Sequence, residues 1–472
     1  MKFHFIPEPD LRFATGDHIC ARRGIAAYGV FDKTQAIRRD EVHVGAVGSN
    51  ACLEALGRWL ERCAGAIEPP DTSRHPNLHV RFTGFNRNSG YHAAFVSGND
   101  LSRAIKNSEI EEALKIADRR KRIEHVIELY YEHIKFLAQN RPVDVIVCVM
   151  PEALHKRIST EETYEEESLE STVDVKGELN FRRAIKARAM HLGKPLQLVR
   201  AVSLESNRRG QQDDATKAWN FCTALYYKAA PTVPWKLAPD ESRVSSCAVG
   251  IAFYRSRDYQ SLNTSLAQIF DELGNGLILR GTPVDLSKDD RVPHLTGEQA
   301  FNLLKGAMQE YRIALRSYPG RIVIHKSSRF TDDEIDGLKR VAHELRIDQM
   351  DFVTILDSKL RLFRNGSYPP LRGSMLSLDE GRNVLYTRGS VWYYKTYPGL
   401  YIPQPIELRI VKSDQSPLYL ATEVLGLTKM NWNNTQFDGK YPVTLGCARK
   451  VGEIMKYIPD SEQPQIRYGY YM

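Results

Sequence analysis

Residues 143–149 read VDVIVCV, an almost unbroken run of apolar and mostly β-branched side chains. A strand with one wet face alternates apolar and polar residues, whereas a run of this kind must be covered on both faces. That need places it inside a layered α/β domain, with helices on either side of a parallel sheet. The flanking sequence agrees. A short apolar strand over 42–47 ends at Gly48 and passes through Ser49 and Asn50, both good N-caps, into a helix over 52–63. Gly45 and Gly48 do not make a dinucleotide fingerprint, because GxGxxG is absent.

The clearest helical region is 101–140, where Ile123, Ile127, Tyr130, Ile134 and Leu137 recur at three and four residues along one stripe. The basic run RRKR at 119–122 lies on it and reads as a solvated face. Further strands are expected near 80 and over 196–202. A helix over 211–228 is stopped by the PTVPW of 231–235. These elements predict one Rossmann-like domain over 41–240, behind a leader (1–40) of turn signals and short extended pieces packing on both lobes.

A second domain is expected over 241–472. It starts with a strand at 245–254, a polar turn and a further strand at 276–280. A helix at 297–316, a strand at 321–325, a helix at 332–345 and a strand at 351–356 follow. Short Tyr-, Val- and Arg-rich strands fill 358–412. A closing helix over 443–457 offers Leu445, Ala448, Val451, Ile454 and Met455 for its buried face. That order suits a ribonuclease-H-like fold.

Charge narrows the function. The chain carries a formal +7 over 472 residues, a mild excess. It is concentrated, however: 181–236 holds eleven Lys or Arg against three acids, whereas 159–178 just before it holds eight acids and one Lys. Such clustering points to a polyanionic partner, and the acidic segment reads as an exposed loop. No apolar run approaches the roughly 20 residues needed to cross a bilayer, no secretory signal is visible, and a cytoplasmic protein is expected. Seven scattered Cys without a CxxC pair argue against a disulfide framework and a zinc site. GxSxG, HExxH and Walker A motifs are absent. Trp219 and Trp235 read as core, and the NWNN of 431–434 as a candidate backbone contact.

Several segments, in order along nearly the whole chain, resemble the short prokaryotic Argonautes built of MID and PIWI domains alone. They are EPDLRF at 8–13, RGIAAYG at 23–29, VDVIVCVMP at 143–151, GKPLQ at 193–197, RIVIHK at 321–326, LTKMNWNNTQF at 427–437 and the terminal RYGYYM. The resemblance implies an α/β chain with a Rossmann-like MID domain followed by a ribonuclease-H-like PIWI domain. It implies a MID pocket that holds the 5′-phosphate of a guide strand with Lys186, Gln197 and Lys228. Arg182 stands at the place of the family's aromatic member. Two Lys suit a phosphomonoester that carries close to two negative charges, and a Gln amide can donate to it. The family also uses its C-terminal carboxylate, here that of Met472, to help hold a divalent cation, Mg2+, on that phosphate.

Slicing by a PIWI domain needs carboxylates that hold two divalent cations. The matching positions are Ala252, Ser327 and Arg449. Alanine and serine supply no ionised oxygen ligand, and arginine repels a metal. The expectation is therefore a nuclease-inactive chain, not an enzyme in itself. The resemblance further implies a guide RNA, a complementary single-stranded DNA target, and a separate APAZ-containing effector protein bearing a sirtuin-like domain, favoured over TIR. Target recognition would then trigger NAD depletion and suicide of cells invaded by plasmids or phage. The alternative is an active guided nuclease that uses other carboxylates, such as Asp285, Asp289 or Asp357; a third reading is a regulatory subunit that binds no nucleic acid.

Overall fold

The computed structural model of the chain describes residues 1–472 except 37, 71–74, 76, 160–178, 207–210, 231, 239–244, 258–260, 271–275, 285–291, 367, 400–401, 438 and 460; the side chains of 265–270 and 276–277 are also left out. The acidic segment, Asp285 and Asp289 thus lie outside the described residues.

Among them, Glu41–Gly48, Val145–Met150 and Leu196–Arg200 pair in parallel as the body of the first sheet. Ala94–Val96 and Ser102–Ala104 line the outer edge of Glu41–Gly48 in turn. The 145–150 strand is fully buried, as its sequence requires. Val145, Val147 and Val149 face one core, with the helices Asn50–Ala64 and Asp214–Ala229. Ile146, Cys148 and Met150 face the other, with Arg119–Asn140 and Phe181–Ala189. Burying both rows of one strand is what fixes the helix–sheet–helix layering.

Three local expectations are corrected. Segment 80–82 is no strand of this sheet: Phe82 makes one isolated bridge to Ile67, and the edge is built by the two short strands at 94–96 and 102–104. The region 101–140 is interrupted, with a short helix Asn107–Lys115 before Arg119–Asn140, whose cap Asp118 accepts from Lys121 N at 2.8 Å. The run at 119–122 is not uniformly solvated either. Arg122 is buried and donates to the carbonyl oxygens of Ile116 at 2.9 Å and Arg157 at 3.0 Å, so it satisfies loop carbonyls in the manner of a cap.

Among the described residues the second domain is built on a nine-stranded sheet, one strand of which comes from the leader. Its centre runs Gly276–Val284, Leu262–Phe270, Ser246–Arg255, Arg321–Lys326, Gln349–Asp357, with the first three antiparallel and the last three parallel. That order and those directions are the ribonuclease-H-like arrangement. The strand Leu262–Phe270, where a polar turn alone was expected, completes it. Gly297–Leu315 and Asp332–Leu345 cover one face. Pro417–Leu427 and Val443–Met455 lie on the other, and all five residues expected on the inner face of the closing helix are buried. In the leader, Lys2–Phe5 adds an edge strand beside Ser374–Ser377, and Leu11–Arg12 pairs with Lys236–Leu237.

Candidate nucleic-acid 5′-end pocket

The helix Phe181–Ala189 begins at Asn180, whose Oδ1 accepts from Arg183 N at 3.1 Å. Phe181, Ala184, Ile185 and Ala189 pack under the sheet, which anchors the helix through its apolar stripe. Lys186 is also inside, only 4% exposed, and its ammonium donates to the main-chain oxygen of Met472. Lys228, near the end of Asp214–Ala229, is 1% exposed and donates to Oε1 of Gln197 on the strand Leu196–Arg200. The structure thus brings Lys186, Gln197, Lys228 and Met472 together from helix, strand, helix and tail. Arg182 is exposed, one turn before Lys186, close enough to Lys228 to act on its charge.

A fully buried ammonium with a single amide partner is expensive. Burial, then the positive charges of Arg182 and Lys450, push the Lys228 pKa down to about 7. Lys450, exposed on Val443–Met455, is a pocket residue that the sequence reading missed. It reaches the site from the other domain through the packing of that helix on Phe181–Ala189, where Arg183 and Glu453 pair at 2.8 Å. The tail is fixed independently. Arg467 donates to carbonyls at the end of Asp214–Ala229 and just beyond it, those of Tyr227 at 2.9 Å, Lys228 at 3.3 Å and Ala230. Tyr470 donates to the carbonyl of Gly193 at 2.9 Å. The result is two buried and two exposed cations gathered at the seam between two domains. Such a site suits a compact dianion.

The three positions matched to metal ligands lie on or next to elements that pack together. In the parallel ladder Ile251 pairs with Lys326, the last pair, and Ala252 and Ser327 each come one residue later. Val443–Met455 crosses closely above: a Cβ on Gly250 would stand 2.3 Å from the Thr444 carbonyl, and one on Gly452 would stand 2.9 Å from the Tyr254 side chain. Arg449 lies on the same helix, and its Nη1 is buried without a hydrogen-bond partner among the described residues. Nearby acids are engaged elsewhere. Glu334 binds Lys326 in a buried pair and accepts from Leu295 N at 2.7 Å and Thr331 N at 2.8 Å. Asp357 meets Lys440 at 2.8 Å and accepts from Tyr441. Among the described residues no group of three or more His, Cys, Asp or Glu could hold a metal ion. The three Trp singled out are core: Trp219, Trp235 and Trp432 are fully buried, and Trp432 of the 431–434 segment donates to the Trp235 carbonyl at 3.0 Å and stacks on Tyr227.

A parallel-sheet domain joined through a buried cationic pocket to a ribonuclease-H-like sheet is the MID–PIWI fold. The comparisons agree. No family model matches the chain. Over 226 residues (47% of this chain and 29% of the relative) it is 26% identical to a protein described as "Protein argonaute" from Aquifex aeolicus. Among solved structures it is similar to Clostridium butyricum Argonaute bound to a guide DNA and a 19-mer target DNA, with TM-score 0.65 and 16% identity over 98% of this chain and 54% of that one. It is similar to Drosophila Piwi, with TM-score 0.62 and 14% identity over 100% of this chain and 56% of that one. Marinitoga piezophila Argonaute in complex with a 5′ OH guide RNA gives TM-score 0.57 and 13% identity over 100% and 59%. In fold the chain is similar to these Argonaute and Piwi structures, and it spans little more than half the length of those solved chains. No helix among the described residues is long and apolar enough to cross a membrane.

Proposed function

We propose that the chain recognises complementary nucleic acid through a bound guide, probing for a DNA target with an RNA guide, and does not cut it. The observation that carries this reading is the convergence of two buried lysines, Lys186 and Lys228, with Gln197 and Met472 at the seam between the domains. In the pocket, the 5′-phosphate of the guide takes Lys228 from Gln197 and shares Lys186 with Met472. Gln197, once released, can donate its amide N–H groups to the phosphate. Arg182 and Lys450 extend the positive field to the next backbone units. The carboxyl group of Met472 with phosphate oxygens and waters is a ligand set that Mg2+ accepts. When bound there, the ion would neutralise charge that Lys186 does not meet.

Ala252, Ser327 and Arg449 support the absence of cutting, because no ionised oxygen occupies those positions. Base pairing then reads sequence while the protein contacts backbone. The signal passes to a separate APAZ-containing effector, sirtuin-like in preference to TIR, that depletes NAD in defence against plasmids and phage. The experiment is a guide-loaded binding assay run beside a cleavage assay with Mg2+ and Mn2+. The reading expects retention of complementary single-stranded DNA without shortening. Guided cleavage lost on Asp357→Asn would replace it with an active nuclease.

A further inference from the structure

A second cavity lies away from the 5′-end pocket, at the other end of the same helix. Asp213, the cap of Asp214–Ala229, accepts from Thr216 N at 2.9 Å and meets His79 at 3.2 Å. His79 lines a cavity of about 740 Å³ with His18, Arg23, Arg81, Thr83 and Tyr393. Fifteen residues of helical rise separate that cap from Lys228, roughly 22 Å. The two sites are therefore distinct.

The cavity is rich in donors. Among the described residues, Arg23 Nε and Thr83 Oγ1 are buried atoms without a hydrogen-bond partner. His18 Nδ1 accepts from Cys20 N at 2.8 Å, which leaves the proton of the neutral ring on Nε2 as a further donor. Burial first, then the charges of Arg23 and Lys429, lower the His18 pKa and keep the ring neutral. Arg81 is exposed and pairs with Glu68, which also lines the cavity; Arg23 is half-buried, with Nη2 donating to Asn77 Oδ1 at 3.3 Å, and is the cation set into the wall. The cavity also has a flat aromatic side. His18 meets the Tyr393 ring edge-on at 5.8 Å, and Arg23 lies 5.9 Å from that ring's centre. Trp392, next to Tyr393 in the chain, is 78% exposed. Its volume is in the range of small-molecule sites, well beyond the need of an inorganic ion.

We propose that this cavity binds a free nucleotide, with the phosphate on Arg23 and Thr83 and the base against Tyr393. The site is independent of guide binding and goes beyond the function proposed above. The test is isothermal titration of the full chain carrying Lys228→Ala, which weakens phosphate capture at the 5′-end pocket. The probes are adenosine 5′-monophosphate, adenosine and inorganic phosphate. One molecule of the monophosphate should bind per chain, at least tenfold tighter than adenosine or phosphate. Adding Arg23→Gln should weaken it at least tenfold. Arg81→Gln, a surface change that leaves the fold intact, should weaken it two- to threefold. Neither change should alter the affinity of the otherwise unmodified chain for a 5′-phosphorylated guide. Absence of monophosphate binding, or binding indifferent to both Arg substitutions, would overturn the proposal. Loss of guide binding along with it would instead assign the signal to the 5′-end pocket.

Discussion

The helix Val443–Met455 touches two sites of opposite chemistry with neighbouring residues. Arg449 lies on the helix that packs against the strand of Ala252, while Lys450, next to it, adds its charge to a pocket that keeps two lysines buried. Burying an ammonium costs several kcal/mol unless something is gained from it, so the pocket holds its cations against a steep desolvation penalty. At the sheet site one buried atom, Arg449 Nη1, has no hydrogen-bond partner among the described residues. Lys326, the residue before Ser327, is paired with Glu334 within the fold. The contrast separates a surface organised to receive an anion from one that has become structural.

The comparison can be broken at several strengths. The largest effect is expected from Lys186→Ala with Lys228→Ala. Each charge-assisted hydrogen bond contributes about 1.5–3 kcal/mol, so together they should lower affinity for a 5′-phosphorylated strand by on the order of 10²–10⁴ in filter binding. On the sheet side, Glu334→Ala leaves Lys326 buried without its carboxylate. It should cost about 3–5 kcal/mol of stability in chemical denaturation, with guide affinity per folded molecule unchanged. Lys450→Ala removes an exposed cation. A loss of about three- to tenfold is expected, and it should shrink as salt is raised.

The remaining effect is a pH dependence. Free Lys228, with its pKa near 7, is charged below that pH and loses its proton as pH rises through it. A bound phosphate raises that pKa, so binding takes up a proton above pH 7, and affinity falls with rising pH by up to about tenfold per unit. The second ionisation of the phosphate, near pH 6, is complete by then and does not mask the trend. Titrations between pH 7 and 9 should show the decline in the parent chain and a flatter profile in Lys228→Ala.

Much of this layout was legible in the sequence where the local signal was strong. Residues 145–150 had to be buried on both faces, and the cap at Ser49 marked its helix. The 94–96 and 102–104 strands escaped notice because three residues carry no periodicity. Leu262–Phe270 mixes Asn, Thr, Ser and Gln among its apolar residues and read as a turn; its nine-residue ladder with Ser246–Arg255 decides otherwise. The pocket was visible only in part. Lys186, Gln197 and Lys228 came from a family resemblance, since nothing local distinguishes them from solvated side chains. Lys450 could not be found that way, because tertiary packing carries it in from a helix more than two hundred residues further along.

The most direct test is the affinity of the purified chain for one short guide sequence, carrying either a 5′-phosphate or a 5′-hydroxyl, at fixed low salt. The account predicts that the phosphate strand binds at least tenfold tighter and that the advantage vanishes in the Lys186→Ala, Lys228→Ala double variant. Equal affinity for the two ends in the unmodified chain would contradict it.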